Sequence, residues 1–214
     1  WGPVSTRDPA TGLLDAEGYF HHVEPQVWAA ADPAAVRIEV DAQVEMALAA
    51  GIDVTHVDTH MGTITHPRFI QGYIQTLLRF RQPGLIPRLT KQQCLDLGIT
   101  DDETTAELFV AMARALEDSG FPLIDAIEYM PLDDPADQIA LAKRKLAALE
   151  PGLTHFLMHP AVDSAELRAI TPDWPSRVAN YEAFTSREVR DFLRDSGIHV
   201  IGYRAAREWF RREH

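Results

Sequence analysis

Apolar residues in this chain recur in two rhythms: short unbroken runs, and longer stretches in which they return every three or four positions. The alternation predicts β-α units. Val36, Val40, Val44, Ala47 and Leu48 fall at helical spacing, with Asp32 suited to cap the helix, Pro33 to occupy its first turn and Gly51 to end it. Residues 52–58 then read as a strand. Pro67 opens a second helix with Phe69, Ile70, Tyr73, Ile74, Leu77 and Leu78 on its apolar face, and 85–89 follows as a strand that Pro87 marks as an edge or a terminus. Residues 100–119 form a third helix stopped by Gly120, and 121–129 supply another strand. Asp134-Pro135 begins a helix reaching Leu149, and 152–159 (GLTHFLMH) is the clearest apolar strand of the second half. Ser186 and Glu188 start a helix ending at Gly197, 199–203 reads as a terminal strand, and 204–212 as a last helix. Residues 1–32, rich in Gly and Pro with Tyr19, Phe20 and Trp28 among them, read as an irregular loop with one short helix.

Five strand candidates, mostly followed by helices, predict an α/β fold, either a parallel barrel or an open doubly wound sheet. In both, chemistry collects at the C-terminal ends of the strands. A length of 214 residues with 46% hydrophobic content suits a single domain. The net charge of -12 disfavours nucleic acid as a partner, because phosphates would be repelled. No run is long and apolar enough for a membrane helix and no charged leader opens the chain, so a cytoplasmic protein without a membrane partner is expected. The single cysteine, Cys94, excludes an internal disulfide and reads as a small buried residue. Charge and size leave a homodimer open.

The candidate chemistry lies in Thr55-His56-Val57-Asp58-Thr59-His60. In an extended segment alternate side chains share a face, so His56, Asp58 and His60 point one way. Two imidazoles and a carboxylate are ligands for zinc and other divalent first-row metals, and such an ion can activate water. His159 ends a second strand, so two strands deliver histidines to the same predicted face. Trp174, between Pro172 and Pro175 in the loop expected after His159, is a candidate platform for a sugar ring. His21 and His22 are expected to be exposed, with a sugar subsite as the functional alternative. His66-Pro67 reads as a structural helix start. Asp163 reads either as a turn former or as a group orienting a histidine.

The segments 55–62 (THVDTHMG) and 156–163 (FLMHPAVD) carry T-H-x-D-x-H and a strand ending in H-P, and with them the chain resembles the YdjC-like carbohydrate deacetylases, the family of chitooligosaccharide deacetylases. The likeness extends to the Arg- and Glu-rich helix near 181–193. It implies a distorted, TIM-like (β/α) barrel and a metal-dependent hydrolase that removes acetyl groups from N-acetylated sugars or oligosaccharides. The resemblance further implies that His60, with His56 beside it, serves the metal. Asp58 would orient that cluster, His159 would act as general acid, and Arg88 would stand beside the substrate. Magnesium is as compatible with the family as zinc, so the identity of the divalent ion stays open.

Two departures qualify those expectations. The family's Asp-Asp-x-Gly strand and Gly-x-His motif, which supply the metal Asp and the first metal His from strands ahead of T-H-x-D-x-H, do not occur ahead of His56 in this sequence. The chain is therefore expected to be the C-terminal portion of a longer deacetylase, with N-terminal strands missing. The alternatives are a non-catalytic carbohydrate-binding remnant and a different metal-dependent barrel hydrolase or isomerase. Gly62 also stands where many relatives carry a further His, and His155 replaces a common acidic residue at a position assigned to substrate binding.

Overall fold

The structure is a computed structural model that describes residues 1–212. Its backbone divides into two compact units, one of residues 1–123 with the described residues from 202 onward and one of residues 124–201.

In the first unit, α1 (Glu24–Ala30) precedes α2 (Pro33–Ala49). Asp32 caps α2 by accepting a hydrogen bond from the Ala35 amide, and Pro33 fills the first turn, where its missing N–H costs nothing. Two carboxylates buried on α2 organise what surrounds it. Glu39 accepts from the amides of Val4 and Ser5 at 3.0 and 2.8 Å, which ties the opening loop down. Asp41 accepts from Thr76 at 2.6 Å and pairs with Arg37 and Arg79 at 2.8 and 2.7 Å. A carboxylate is tolerated there because its lone pairs are occupied.

Helix α3 (Ile70–Phe80) buries Ile70, Tyr73, Ile74 and Leu77 against Ile86, Ala113, Leu116, Phe121, Leu123 and Phe210. The short α4 (Lys91–Asp96) begins with a capping box between Thr90 and Gln93 and carries the buried Cys94. Helix α5 (Glu103–Asp118) is capped by Asp102. A second apolar cluster joins Leu13, Ala31, Val36 and Phe69.

The second unit is built on a β-α-β crossover. Strands β1 (Ala126–Tyr129) and β2 (Thr154–Leu157) pair in parallel, with Ala126 opposite Thr154 and Tyr129 opposite Leu157, and α6 (Gln138–Ala147) connects them. Asp125 fastens the start of the pair: its amide donates to the Leu153 carbonyl at 2.8 Å, and its carboxylate accepts from the Leu153 amide at 2.7 Å. Helices α7 (Ala165–Ile170), α8 (Trp174–Thr185) and α9 (Arg187–Asp195) follow. Met130, Ala142, Leu146 and Val189 form the core, with Phe156, Phe184 and Phe192 packed on it.

The expected elements are corrected at several points. Residues 52–58 are extended but hold a single parallel bridge, Val57 to Gly84, instead of a strand ladder. The segment 85–89 forms no strand and holds only an isolated bridge residue at Pro87. No strand forms over 199–203 either: Val200 and Ile201 are 77% and 57% exposed, and Tyr203 instead opens α10 (Tyr203–Arg212). Strand 121–129 contracts to β1, and 152–159 contracts to β2. Asp134 does not cap α6, which starts later at Gln138 behind an Asp137 in the left-handed region (φ 48°). Trp174 lies in no loop but is the first residue of α8, because Pro175 fits a first helical turn. Two paired strands make the chain a mixed α/β protein; they do not by themselves build a barrel.

Gly84 shows how tightly the bridge at Val57 is packed. A Cβ there would lie 2.5 Å from both Leu77 Cδ1 and the Tyr73 hydroxyl. Gly84→Ala is therefore expected to lower unfolding stability by about 1–3 kcal/mol; urea denaturation checks this, and an unchanged midpoint would contradict the close packing.

Candidate functional site

The extended segment before His60 gains its definition from α10. Arg204 and Arg207 both donate to the Asp53 carboxylate, and Arg207 Nη1 also donates to the Val54 carbonyl at 2.9 Å. One turn earlier on the same helix face, the Tyr203 ring stacks on His56 with centroids 4.1 Å apart and planes 4° from parallel. His56 Nδ1 lies 3.1 Å from Thr55 Oγ1. From the other side, the Tyr73 hydroxyl donates to the Val57 carbonyl and accepts from the Leu85 amide at 3.0 Å.

Asp58 is exposed and accepts from the Thr59 amide at 2.8 Å. Its charge reaches both tyrosines. Burial, followed by the Asp58 carboxylate, raises the Tyr203 hydroxyl above the ordinary tyrosine range, and burial raises Tyr73 likewise with Asp58 adding to it. Both phenols stay protonated.

His60 opens a 3-10 turn, His60–Thr65, in which Met61 and Gly62 adopt φ of 55° and 71°. A left-handed Met next to a candidate ligand is a strained position that the fold must hold in place. Thr59 Oγ1 helps by accepting from the Ile64 amide at 3.2 Å, as does Thr63 by donating to the His60 carbonyl at 3.0 Å.

His56, Asp58 and His60 line one cleft of about 670 Å³, together with His21, His22 and Glu24. Among the described residues no group of three or more His, Cys, Asp or Glu side chains is placed to hold a metal. The physical reason is local. Strand alternation ends at Asp58, His60 takes its direction from the turn, and the His56 ring is committed to Tyr203. The side chains present do not by themselves fit a divalent ion.

Arg88 is engaged by Glu117 on α5 through Nη2 at 2.6 Å and Nε at 3.4 Å, and that guanidinium lowers the Glu117 carboxyl below its usual range. His66 stacks on Trp28 at 4.8 Å, and burial, with Arg68 adding to it, lowers its pKa. It supports the loop, as its place beside Pro67 suggested.

In the second unit, the segment leaving β2 is bound to α8. The His159 amide donates to Asn180 Oδ1 at 3.2 Å and the Ala161 amide to the Arg177 carbonyl at 3.1 Å. His159 Nδ1 is buried and has no hydrogen-bond partner among the described residues. Asp173 lies close enough for its carboxylate to feel His159; its pKa is lowered by Arg177 first, then Thr171, with His159 a smaller contributor. Arg177 pairs with it at 2.7 and 3.0 Å.

Asp163, weighed as an orienter of histidine, pairs instead with Arg168 at 2.7 and 2.6 Å, and that guanidinium lies 4.4 Å from the Trp174 ring centroid. One face of the candidate sugar platform thus carries a cation. His155 lies on β2, where alternation sets it opposite in direction to Phe156, which packs on Phe184 at 5.6 Å.

Sequence reasoning missed Tyr203, Tyr73, Asp53, Arg207 and Asn180. The spacing of Tyr203, Arg204 and Arg207 on one helical face was a usable signal, masked by reading Tyr203 as strand. For Asn180 and Asp173 no local pattern pointed to the role.

The YdjC-like protein family model matches residues 1–195. A carbohydrate deacetylase of Thermus thermophilus is 30% identical over 209 residues, covering 96% of this chain and 74% of its own length. A carbohydrate deacetylase of Thermoanaerobacter pseudethanolicus is 25% identical over 201 residues, covering 94% and 72%. Among solved structures, a protein of Enterococcus faecalis V583 assigned to cellobiose-phosphate cleavage superposes with a TM-score of 0.73 at 18% identity, covering 95% of this chain and 72% of the other. That likeness is one of fold.

The Asp53 pair gives a pH prediction. Arg207 and then Arg204 hold the Asp53 carboxyl down to about 2, against about 3.9 for an unfolded aspartate. A depressed folded pKa means the stabilisation is present above about pH 4 and is lost as pH falls toward about 2. Asp53→Asn is expected to melt below the parent protein near about pH 6 and to converge with it near about pH 2. Parallel melting curves across that range would contradict the role given to the pair.

Proposed function

This chain belongs to the YdjC-like protein family, and from that premise we propose that it hydrolyses the acetamido group of an N-acetylated sugar or oligosaccharide, releasing acetate. The observation that carries the reading is the 30% identity to a Thermus thermophilus carbohydrate deacetylase over 96% of this chain. The TIM-like barrel of the resemblance and a cytoplasmic setting are parts of the same proposal. No helix among the described residues is long and apolar enough to cross a membrane.

In the proposed reaction, water adds to the acetamide carbonyl and releases a proton to solvent, the C–N bond of the tetrahedral intermediate breaks, and the departing nitrogen takes a proton from the donor as acetate leaves. His159 is the proton donor in this reading. Its Nδ1 is buried, so a proton can pass to a ligand only through Nε2, and the Asp173 carboxylate lies nearby. Asp58 orients the cleft containing His56 and His60, whose imidazoles and open surroundings suit polar substrate contacts. Arg88, Trp174 and His155 remain the proposed substrate contacts, with Arg88 exchanging Glu117 for a sugar hydroxyl.

A divalent ion, zinc or magnesium, belongs to the proposal as a partner for His56 and His60. Because these side chains form no three-ligand group, the steps above assign it no part. The same observation favours a second reading, a carbohydrate-binding protein without turnover.

Acetate release from N-acetylglucosamine oligomers tests the proposal. The protein is expected to release acetate, and His159→Ala is expected to lower kcat by about 10²–10⁴-fold. Near-normal turnover by His159→Ala would overturn the acid assignment. Binding of the oligomer without acetate release would replace the enzyme reading by the second one. Dialysis against EDTA tests the ion: release that falls on dialysis and returns with zinc or magnesium would give it a part in the reaction, and an unchanged rate would remove the metal from the proposal.

A further inference from the structure

We infer that Asn180 and Gln138 form a buried relay that positions His159, so that the angle at which its imidazole is offered is set from α6 and α8. The inference rests on the reading of His159 as the proton donor.

Asn180, the only asparagine in the sequence, is 0% exposed, and Gln138 at the first position of α6 is 4% exposed. Buried amides are costly unless every group is partnered. Here the partners run in one line. The His159 N–H donates to Asn180 Oδ1 at 3.2 Å, Asn180 Nδ2 donates to Gln138 Oε1 at 3.1 Å, and Gln138 Nε2 donates to the Asp134 carbonyl.

Both ends of the line are backbone groups of fixed chemistry, a donor at His159 and an acceptor at Asp134. Only one orientation of each amide satisfies the whole, so neither side chain can flip without leaving two donors or two acceptors facing each other. The relay is directional and has one solution.

Its placement suits positioning better than general stability. Pro160 has no amide hydrogen, and the Ala161 amide is held by the Arg177 carbonyl, so every backbone donor from 159 to 161 is taken by α8. Arg177 and Asn180 stand three residues apart on one face of that helix. The His159 side chain itself makes no hydrogen bond through its buried Nδ1, so the ring is oriented through its backbone.

Asn180→Asp keeps the acceptor for His159 but loses the donor to Gln138, and Gln138→Met removes both relay bonds at similar volume. In each variant the His159 backbone amide resonance is expected to shift and to exchange faster with deuterium. The Ala161 amide, tied to the Arg177 carbonyl, serves as the internal reference for an intact α8. In the acetate-release assay kcat is expected to fall by about tenfold to a hundredfold, the loss that a misplacement on the order of 1 Å produces, with KM little changed. An unaltered His159 amide in both variants would overturn the relay whatever the activity. Should the parent protein release no acetate, the deacetylase reading fails and the amide signals alone decide the relay. Equal losses of protection at His159 and Ala161 would also overturn it, because they would report loosening of α8 as a whole.

Discussion

Backbone N–H and C=O groups that leave regular structure must find partners, and in this chain both histidine-bearing segments find most of theirs on helices. Around Val54 to Val57 the partners are Arg207, which bonds the Val54 carbonyl, Tyr73, which bonds the Val57 carbonyl, and Pro83, whose carbonyl accepts from the Val57 amide at 3.0 Å. Around His159 they are Asn180 and the Arg177 carbonyl. Where a sheet neighbour would bond the backbone at regular intervals, helical side chains bond it at chosen atoms. Each histidine is thus aimed by residues distant from it in sequence.

This arrangement explains the electrostatics of the two segments. The protein is acidic, yet the groups that matter locally are arginines seated on carboxylates: Arg207 and Arg204 on Asp53, Arg79 and Arg37 on Asp41, Arg177 on Asp173. The Asp53 pairs and Arg79–Asp41 join helices to other elements, Arg37–Asp41 lies within α2, and Arg177–Asp173 stiffens the start of α8. Asp58 is different. It is exposed, faces two protonated tyrosines and has no arginine among its hydrogen-bond partners given by the structure, which leaves its charge available to a ligand in the cleft.

The readable parts of the fold were those determined by neighbours in sequence. Helix α2 lies where Asp32, Pro33 and Gly51 signal it, and α9 begins at the Ser186 cap, because caps and periodicity act over a few residues. Strands β1 and β2 lie inside the predicted runs. Residues 52–58, 85–89 and 199–203 were misread since a strand exists only with a partner, and apolar alternation cannot supply one. The gathering of His56, Asp58 and His60 at one cleft was legible. The commitment of His56 to Tyr203 was not, because it depends on a helix about a hundred and fifty residues away in sequence. Likewise H-P marked His159, whereas the amide that holds it was one polar letter in an amphipathic helix.

The central claim is that the segment carrying His159, held by α8, serves an N-acetylated sugar. Amide chemical-shift mapping during titration with an N-acetylglucosamine oligomer tests it most directly. Progressive, saturable shifts are expected at residues 158–162. Binding of the oligomer with those resonances unmoved would contradict the claim.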